Sequence, residues 1–235
     1  MRILDLTSAG PSLEEALETV ASWRGKGCHE KVEVRLAPGE YRLQKTIELG
    51  PEVASNLTIR AEKTGRAILN GSRVLHGWKE SLTSERRIWS VKLPADFPTT
   101  RYLRELFVNG EWRSRARFPK FSTEPSGMRN VLRPASIRAK LEPFTLSAGD
   151  CMFQPFPGDV GDWEGLSRAE IVFLHYWTDA RLPEPRLDPE NGWIRCSRKT
   201  RLTMSESFDG DELGRYYIDN LREALTEKGE WYFNE

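Results

Sequence analysis

At 235 residues the chain has room for one large domain or two modest ones. Hydrophobic residues make up 38% and charged residues 30%, which excludes a disordered chain. Lysine plus arginine equals aspartate plus glutamate at 35 each, so the basic excess typical of a nucleic-acid-binding protein is absent. No segment has the apolar length of a membrane span, and the first ten residues lack the apolar centre of a signal peptide. Cys28, Cys151 and Cys196 are odd in number and widely spaced. A disulfide framework is therefore not expected, and a reducing cytoplasm is the expected compartment; secretion after removal of a leader is the alternative. Eight Trp, six Tyr and ten Phe lean the composition toward β structure.

The first predicted element is a helix over residues 12–24. Ser12 and Glu15 stand at capping-box spacing, and Leu13, Ala16, Leu17 and Val20 form one apolar stripe. Gly25 and Gly27 supply the stop. Short strands follow. Val32, Val34 and Leu36 alternate with Glu33 and Arg35, which predicts one buried face. Pro38-Gly39 marks a turn, and Tyr41 and Leu43 come after it. Ile47 with Leu49, Leu57 with Ile59, and Ala67 to Leu69 continue the series, and Asn70-Gly71 marks a further turn. Strands this closely spaced, with no helix between them, fit hairpins, a sandwich or a β-solenoid.

From about residue 75 the texture changes. Residues 88–94 alternate as a strand, and Leu106 to Trp112 read as strand, Asn109-Gly110 turn and strand. Residues 119–165 are rich in Pro, Gly and Ser, which predicts long loops. Residues 169–176 are strongly apolar, and Trp193 to Cys196 form a further strand after Asn191-Gly192. A short amphipathic helix is expected from residue 215 to a stop at Gly229, and Trp231-Tyr232-Phe233 then begin a strand. A strand that starts at the end has no downstream partner of its own, so the chain reads as the front part of a larger protein.

Taken in order, these motifs resemble a known group. They are Pro38-Gly39-Glu40-Tyr41, Ile68-Leu69-Asn70-Gly71-Ser72, Gly77-Trp78, Ile88-Trp89-Ser90-Val91, Leu106 to Gly110 with Arg115 to Pro119, Trp177, and Gly229-Glu230-Trp231-Tyr232. The chain resembles the N-terminal portion of right-handed parallel β-helix, pectin lyase-like carbohydrate-active proteins, glycoside hydrolase family 141 and its relatives in particular. The resemblance implies a mainly β fold. Residues 1–76 would hold a capping helix and the first β-helix rungs. Residues 77–214 would form a β-sandwich-like insertion, and residues 215–235 a short helix returning to the β-helix. It further implies that the catalytic carboxylates lie on later rungs, so no catalytic residue is assigned.

Three groups stand out as substrate-binding candidates. Trp163 sits in a loop with Asp159, Asp162 and Glu164, suited to contacting a sugar; the preferred alternative is a Trp covering a sheet edge. Arg113, Arg115 and Arg117 alternate along one predicted strand beside Trp112 and Phe118, suited to an anionic sugar. The preferred alternative there is an ion-paired face. Trp177, Asp179 and Arg181 share a face if the strand from residue 171 continues, with Trp stacking on a ring and Asp and Arg bonding its hydroxyls. A strand end with a local salt bridge is again the preferred alternative. His29, His76 and His175 are far apart, so neither a metal nor another cofactor is expected.

The leading functional expectation is an N-terminal segment of a β-helix glycosidase, not catalytic alone. A carbohydrate-binding module is second. A structural or interaction remnant is third, with self-association through an exposed β-helix end. Oligosaccharide or polysaccharide is the expected partner, and neither nucleic acid nor membrane is.

Overall fold

A computed structural model describes residues 1–82, 86–97, 103–121, 131–138, 149–175, 177–205 and 213–234. The chain divides into two compact units, Met1–Phe97 and Pro98–Glu235. The described residues are mainly β, with few helices and no closed barrel.

In the first unit, β1 (Arg2–Leu6) leads to helix α1 (Leu13–Gly25). The capping box forms as the spacing predicts: Ser12 Oγ accepts from the Glu15 amide at 3.1 Å, and Glu15 accepts from the Ser12 amide at 2.8 Å. Gly27 takes φ +81° just beyond the helix, a left-handed backbone that suits glycine. Then come β2 (Val32–Leu36), β3 (Gly39–Arg42), the single helical turn α2 (Pro51–Ala54), β4 (Leu57–Ala61) and β5 (Ala67–Asn70). Strands β1, β2 and β4 stack in parallel, with Leu4 beside Val34 and Val34 beside Ile59. Strands β3 and β5 form a second parallel pair, with Tyr41 beside Leu69. The chain therefore visits one stack, crosses to the other, and repeats both visits one layer along.

Val32 and Val34 are buried, and Leu36, Tyr41 and the α1 stripe of Leu13, Ala16 and Leu17 close a small core. Tyr41 donates its hydroxyl to the carbonyls of Leu6 and Ala37, so the phenol is satisfied inside that core. Glu33, expected to face solvent, is instead nearly covered. Arg35 and Arg60 on β2 and β4 hydrogen-bond it and hold its carboxyl below its ordinary value. The strand expected at Ile47–Leu49 does not form; the chain there runs irregularly into α2, where Pro51 occupies the first turn and fixes a helical φ. A hairpin of β6 (Lys79–Leu82) and β7 (Arg87–Ser90) completes the unit, shorter than the alternation over 88–94 suggests.

The second unit opens with the hairpin β8 (Leu106–Val108) and β9 (Glu111–Arg113). Its turn is the expected Asn109-Gly110, with φ +54° and +79° at the two positions. Strands β10 (Arg117–Phe118), β11 (Pro134–Ile137), β12 (Met152–Pro155), β13 (Glu170–Leu174), β14 (Asp179–Pro183), β15 (Arg186–Leu187), β16 (Ile194–Arg195) and β17 (Arg215–Asp219) follow. Two of them, β11 and β12, lie inside the stretch expected to be loop; residues 122–130 and 139–148 of that stretch lie outside the described residues. The helix expected from residue 215 is a correction. Residues 215–219 are strand β17, and helical geometry is confined to a turn at Arg222–Ala224. Tyr216 and Ile218 bury into the core while Tyr217 and Asp219 face the other way, and this two-residue period decides the outcome.

Among the described residues these strands form two antiparallel four-stranded sheets, ordered β10-β17-β13-β14 and β11-β12-β16-β15. Their inner faces share one core of Ile171, Phe173, Leu182, Tyr216 and Ile218 from the first and Ile137, Phe153 and Ile194 from the second. Phe153 meets Tyr216 at 4.7 Å and Phe173 at 6.1 Å between ring centroids. Truncating a fully buried phenylalanine removes its apolar burial and leaves a cavity. We predict that Phe153→Ala lowers the unfolding free energy by about 3–5 kcal/mol, measured by urea denaturation, without altering the β1–β2–β4 stack.

Candidate functional site

The outer face of the β10-β17-β13-β14 sheet gathers most of the residues singled out from the sequence. Register explains why. Glu170 on β13 stands beside Asp219 on β17, and Asp219 stands beside Arg117 on β10. Arg181 on β14 stands beside Val172 and Val172 beside Tyr217. Side chains alternate along each strand, so Glu170, Val172, Arg117, Asp219, Tyr217, Asp179 and Arg181 share the face opposite the core.

Glu170 is the centre of this face and is fully buried. Arg104 Nη2 donates to it at 3.0 Å and Arg115 Nη1 at 2.9 Å, and Arg181 Nη1 lies at 3.8 Å. Asp219 accepts from Arg181 at 3.0 Å and lies 3.5 Å from Arg115. Burial alone pushes the Glu170 carboxyl up. Hydrogen bonds and charge from Arg104 and Arg115 outweigh it and hold the group below its ordinary value. The Tyr217 phenol is pushed up, first by burial and then by Asp219. Its ring lies under the Arg117 guanidinium at 3.7 Å, with Phe121 at 4.1 Å.

The candidates therefore separate. Arg115, Arg117, Arg181 and Asp179 come together, and Trp177 stands at the β13–β14 turn with 69% of its surface exposed. Asp179 is half-exposed and pairs with Arg181 at 3.6 Å. Arg113 leaves the group, because the strand predicted through 113–117 breaks after β9; it pairs with Glu111 at 2.7 Å instead. Arg115 forms a parallel bridge to Trp231, and its guanidinium lies 6.0 Å from the indole. Trp163 does not join either. It precedes the helical turn Glu164–Arg168 and packs edge-on against Phe118 at 5.2 Å, covering the sheet edge. Near it lies a separate polar cavity of about 270 Å³ lined by Glu164, Arg168, Asn220, Arg222 and Tyr232.

Sequence reasoning missed Glu170, Asp219, Arg104 and Tyr217. Glu170 heads an apolar run and looks like its polar flank. Its signal was the lone acid next to four consecutive apolar residues, Ile171 to Leu174. Chemically, an acid held ionised by guanidinium groups is an anchor and not a proton donor. Among the described residues no group of three or more His, Cys, Asp or Glu is placed to hold a metal ion, and no helix is long and apolar enough to cross a membrane.

No protein-family model matches the chain, and no curated protein matches it. A solved structure titled "Glycoside hydrolase" is similar in fold, with a TM-score of 0.57 and 18% identity over the full length of this chain. The match takes in 42% of that structure's chain, so this chain spans less than half of its length. At that identity the likeness is one of fold.

Replacing one partner of a buried ion cluster leaves the others uncompensated. Glu170→Gln should lower stability by about 3–5 kcal/mol near pH 7, measured by urea denaturation. The pH dependence has a definite sign. The folded value lies below the unfolded one, so the Glu170 contribution is present above the ordinary carboxylate value and is lost as pH falls through the folded value. The gap between wild type and Glu170→Gln should therefore narrow on acidification.

Proposed function

We propose that this chain is the N-terminal part of a carbohydrate-active enzyme of the glycoside hydrolase kind, built on a right-handed parallel β-helix, and that it supports the saccharide site without cleaving the glycosidic bond itself. The observation that carries the reading is the likeness of the whole chain to 42% of a structure titled "Glycoside hydrolase". The alternating visits of β2, β3, β4 and β5 to two parallel stacks favour successive solenoid rungs, with α1 as the cap. The two facing antiparallel sheets favour a sandwich inserted between rungs.

The chemistry of the acids favours a supporting role. Glycoside hydrolysis needs one carboxyl that can donate a proton and a second that acts as base or nucleophile. Glu170 and Asp219 are both engaged by guanidinium groups, and Glu170 is biased toward its ionised form. A second reading, a carbohydrate-binding module, rests on Trp177. Its exposed indole stands in the turn that leads into β14, whose Asp179 and Arg181 pair with each other. The strand from residue 171 does not continue through it, so the three residues are grouped here by chain position, an aromatic to stack on a sugar ring and polar groups to bond its hydroxyls.

Hydrolysis of aryl glycosides and plant-wall polysaccharides, together with calorimetric binding of oligosaccharides, tests the proposal. The chain alone should release no product and should bind oligosaccharide with a Kd of about 1 mM, and Trp177→Ala should weaken binding by about tenfold. Turnover by the isolated chain would overturn the supporting role. Absence of binding by the wild-type chain at millimolar sugar would overturn the carbohydrate reading.

A further inference from the structure

Two cysteines that are distant in sequence meet across one ladder of the second unit. Cys151 immediately precedes β12 and Cys196 immediately follows β16. The register Met152 to Arg195 and Phe153 to Ile194 places the two cysteines directly opposite each other. The Cys196 amide donates to the Cys151 carbonyl at 2.8 Å, while the Cys151 amide turns to the Asp150 carboxylate at 2.6 Å, so one bond of the pair holds the two cysteines together just beyond the end of the ladder. Phe153 and Ile194, two positions further along, are fully buried in the core. Side chains two apart on a strand share a face, so both sulfurs point to the core side. Cys196 is itself a member of the core, whereas Cys151 is partly exposed, and both are free thiols.

The spacing suits a bond that forms and breaks. Directly opposed residues in a hydrogen-bonded antiparallel pair have Cα atoms about 5.5 Å apart, inside the range of about 4.4–6.8 Å that disulfides span. Their Cβ atoms stand about 4.5–5.5 Å apart, against about 3.8 Å in a disulfide. Closing the bond therefore draws the strand ends together and leaves it strained, and strained disulfides are the readily reduced ones.

We propose that Cys151 and Cys196 form a reversible cross-strand thiol–disulfide site, oxidised by exchange with a small-molecule disulfide such as oxidised glutathione. The accessible Cys151 reacts first. Its thiolate attacks one sulfur of oxidised glutathione, forming a mixed disulfide and expelling a glutathione thiolate. Cys196 then gives up its proton and attacks the Cys151 sulfur, expelling the second glutathione. Two protein thiols lose two electrons and two protons, and one glutathione disulfide becomes two thiols. Burial, with Cys151 beside it, pushes the Cys196 thiol up to about 12, which makes the second step the slow one. The closed ring runs from Cys151 to Cys196 and contains β13 and β14, the strands that carry Glu170 and Arg181. Oxidation thereby tethers the segment that builds the buried ion cluster.

The test is equilibration of the whole chain in glutathione buffers from reducing to oxidising, followed by acid quenching, alkylation under denaturing conditions and non-reducing peptide mapping. The expected result is a linked Cys151–Cys196 peptide pair that appears on oxidation, disappears on return to reducing buffer, and persists in Cys28→Ser. The oxidised protein should unfold several degrees above the reduced one. The proposal is overturned if both sulfurs are alkylated or separately glutathionylated at the most oxidising ratio, or if either links to Cys28 instead.

Discussion

The second unit depends on how one buried carboxylate is neutralised. Glu170 has no water to ionise against, yet it is held in its charged form by Arg104 and Arg115, with Arg181 close by. Those groups come from a stretch ahead of β8, from the approach to β10, and from β14. A single acid therefore ties together segments that are far apart in the chain. Compared with a well-packed apolar face, such a cluster adds little net stability. Its larger effect is on register. A one-residue slip of β13 would turn Glu170 into the aromatic core and Ile171 toward the guanidinium groups, and both exchanges are costly.

The same constraint explains the division of the sheet into an apolar inner face and a polar outer one that is nonetheless largely covered. Tyr216 and Ile218 pack on Phe153 and Phe173, while Tyr217 and Asp219 on the same strand receive Arg117 and Arg181. Arg117 is almost wholly enclosed, and aromatic rings lie against its guanidinium. Charged groups this enclosed are better suited to holding an exposed rim in place than to meeting a substrate themselves. Trp177 and Asp179 are exposed parts of that rim. The fold likeness to a glycoside hydrolase and the supporting role proposed for this chain are compatible on these terms.

Local patterns carried much of the fold into view. The Ser12–Glu15 spacing, the strand through Val32, Val34 and Leu36, and the Asn109-Gly110 turn each depend on residues within a few positions of one another, and each forms, though Glu33 between the valines is covered rather than exposed. The alternation of Tyr216 and Ile218 lies in the segment read as an amphipathic helix ending at Gly229, and strand pairing to β13 and β10 decided the outcome. The candidate site was legible only in part. Arg115, Arg117, Asp179 and Arg181 carried charge in a strand-like pattern. Their partners Glu170 and Asp219 are set by pairings across long separations; the one local hint was Glu170 standing as a lone acid at the head of the apolar run Ile171 to Leu174. The meeting of Cys151 with Cys196 is of the same kind, since register alone brings them opposite.

The ionised state of Glu170 is the claim on which this account turns, and carboxyl-carbon NMR titration of the folded chain reads it directly, with Glu170 assigned by its loss in Glu170→Gln. The expected titration midpoint lies below the ordinary glutamate value of 4.5, reached while the sheet's amide signals remain native. A midpoint above 4.5 in the folded protein would mean that burial outweighs the guanidinium groups, and the clamp described here would not hold.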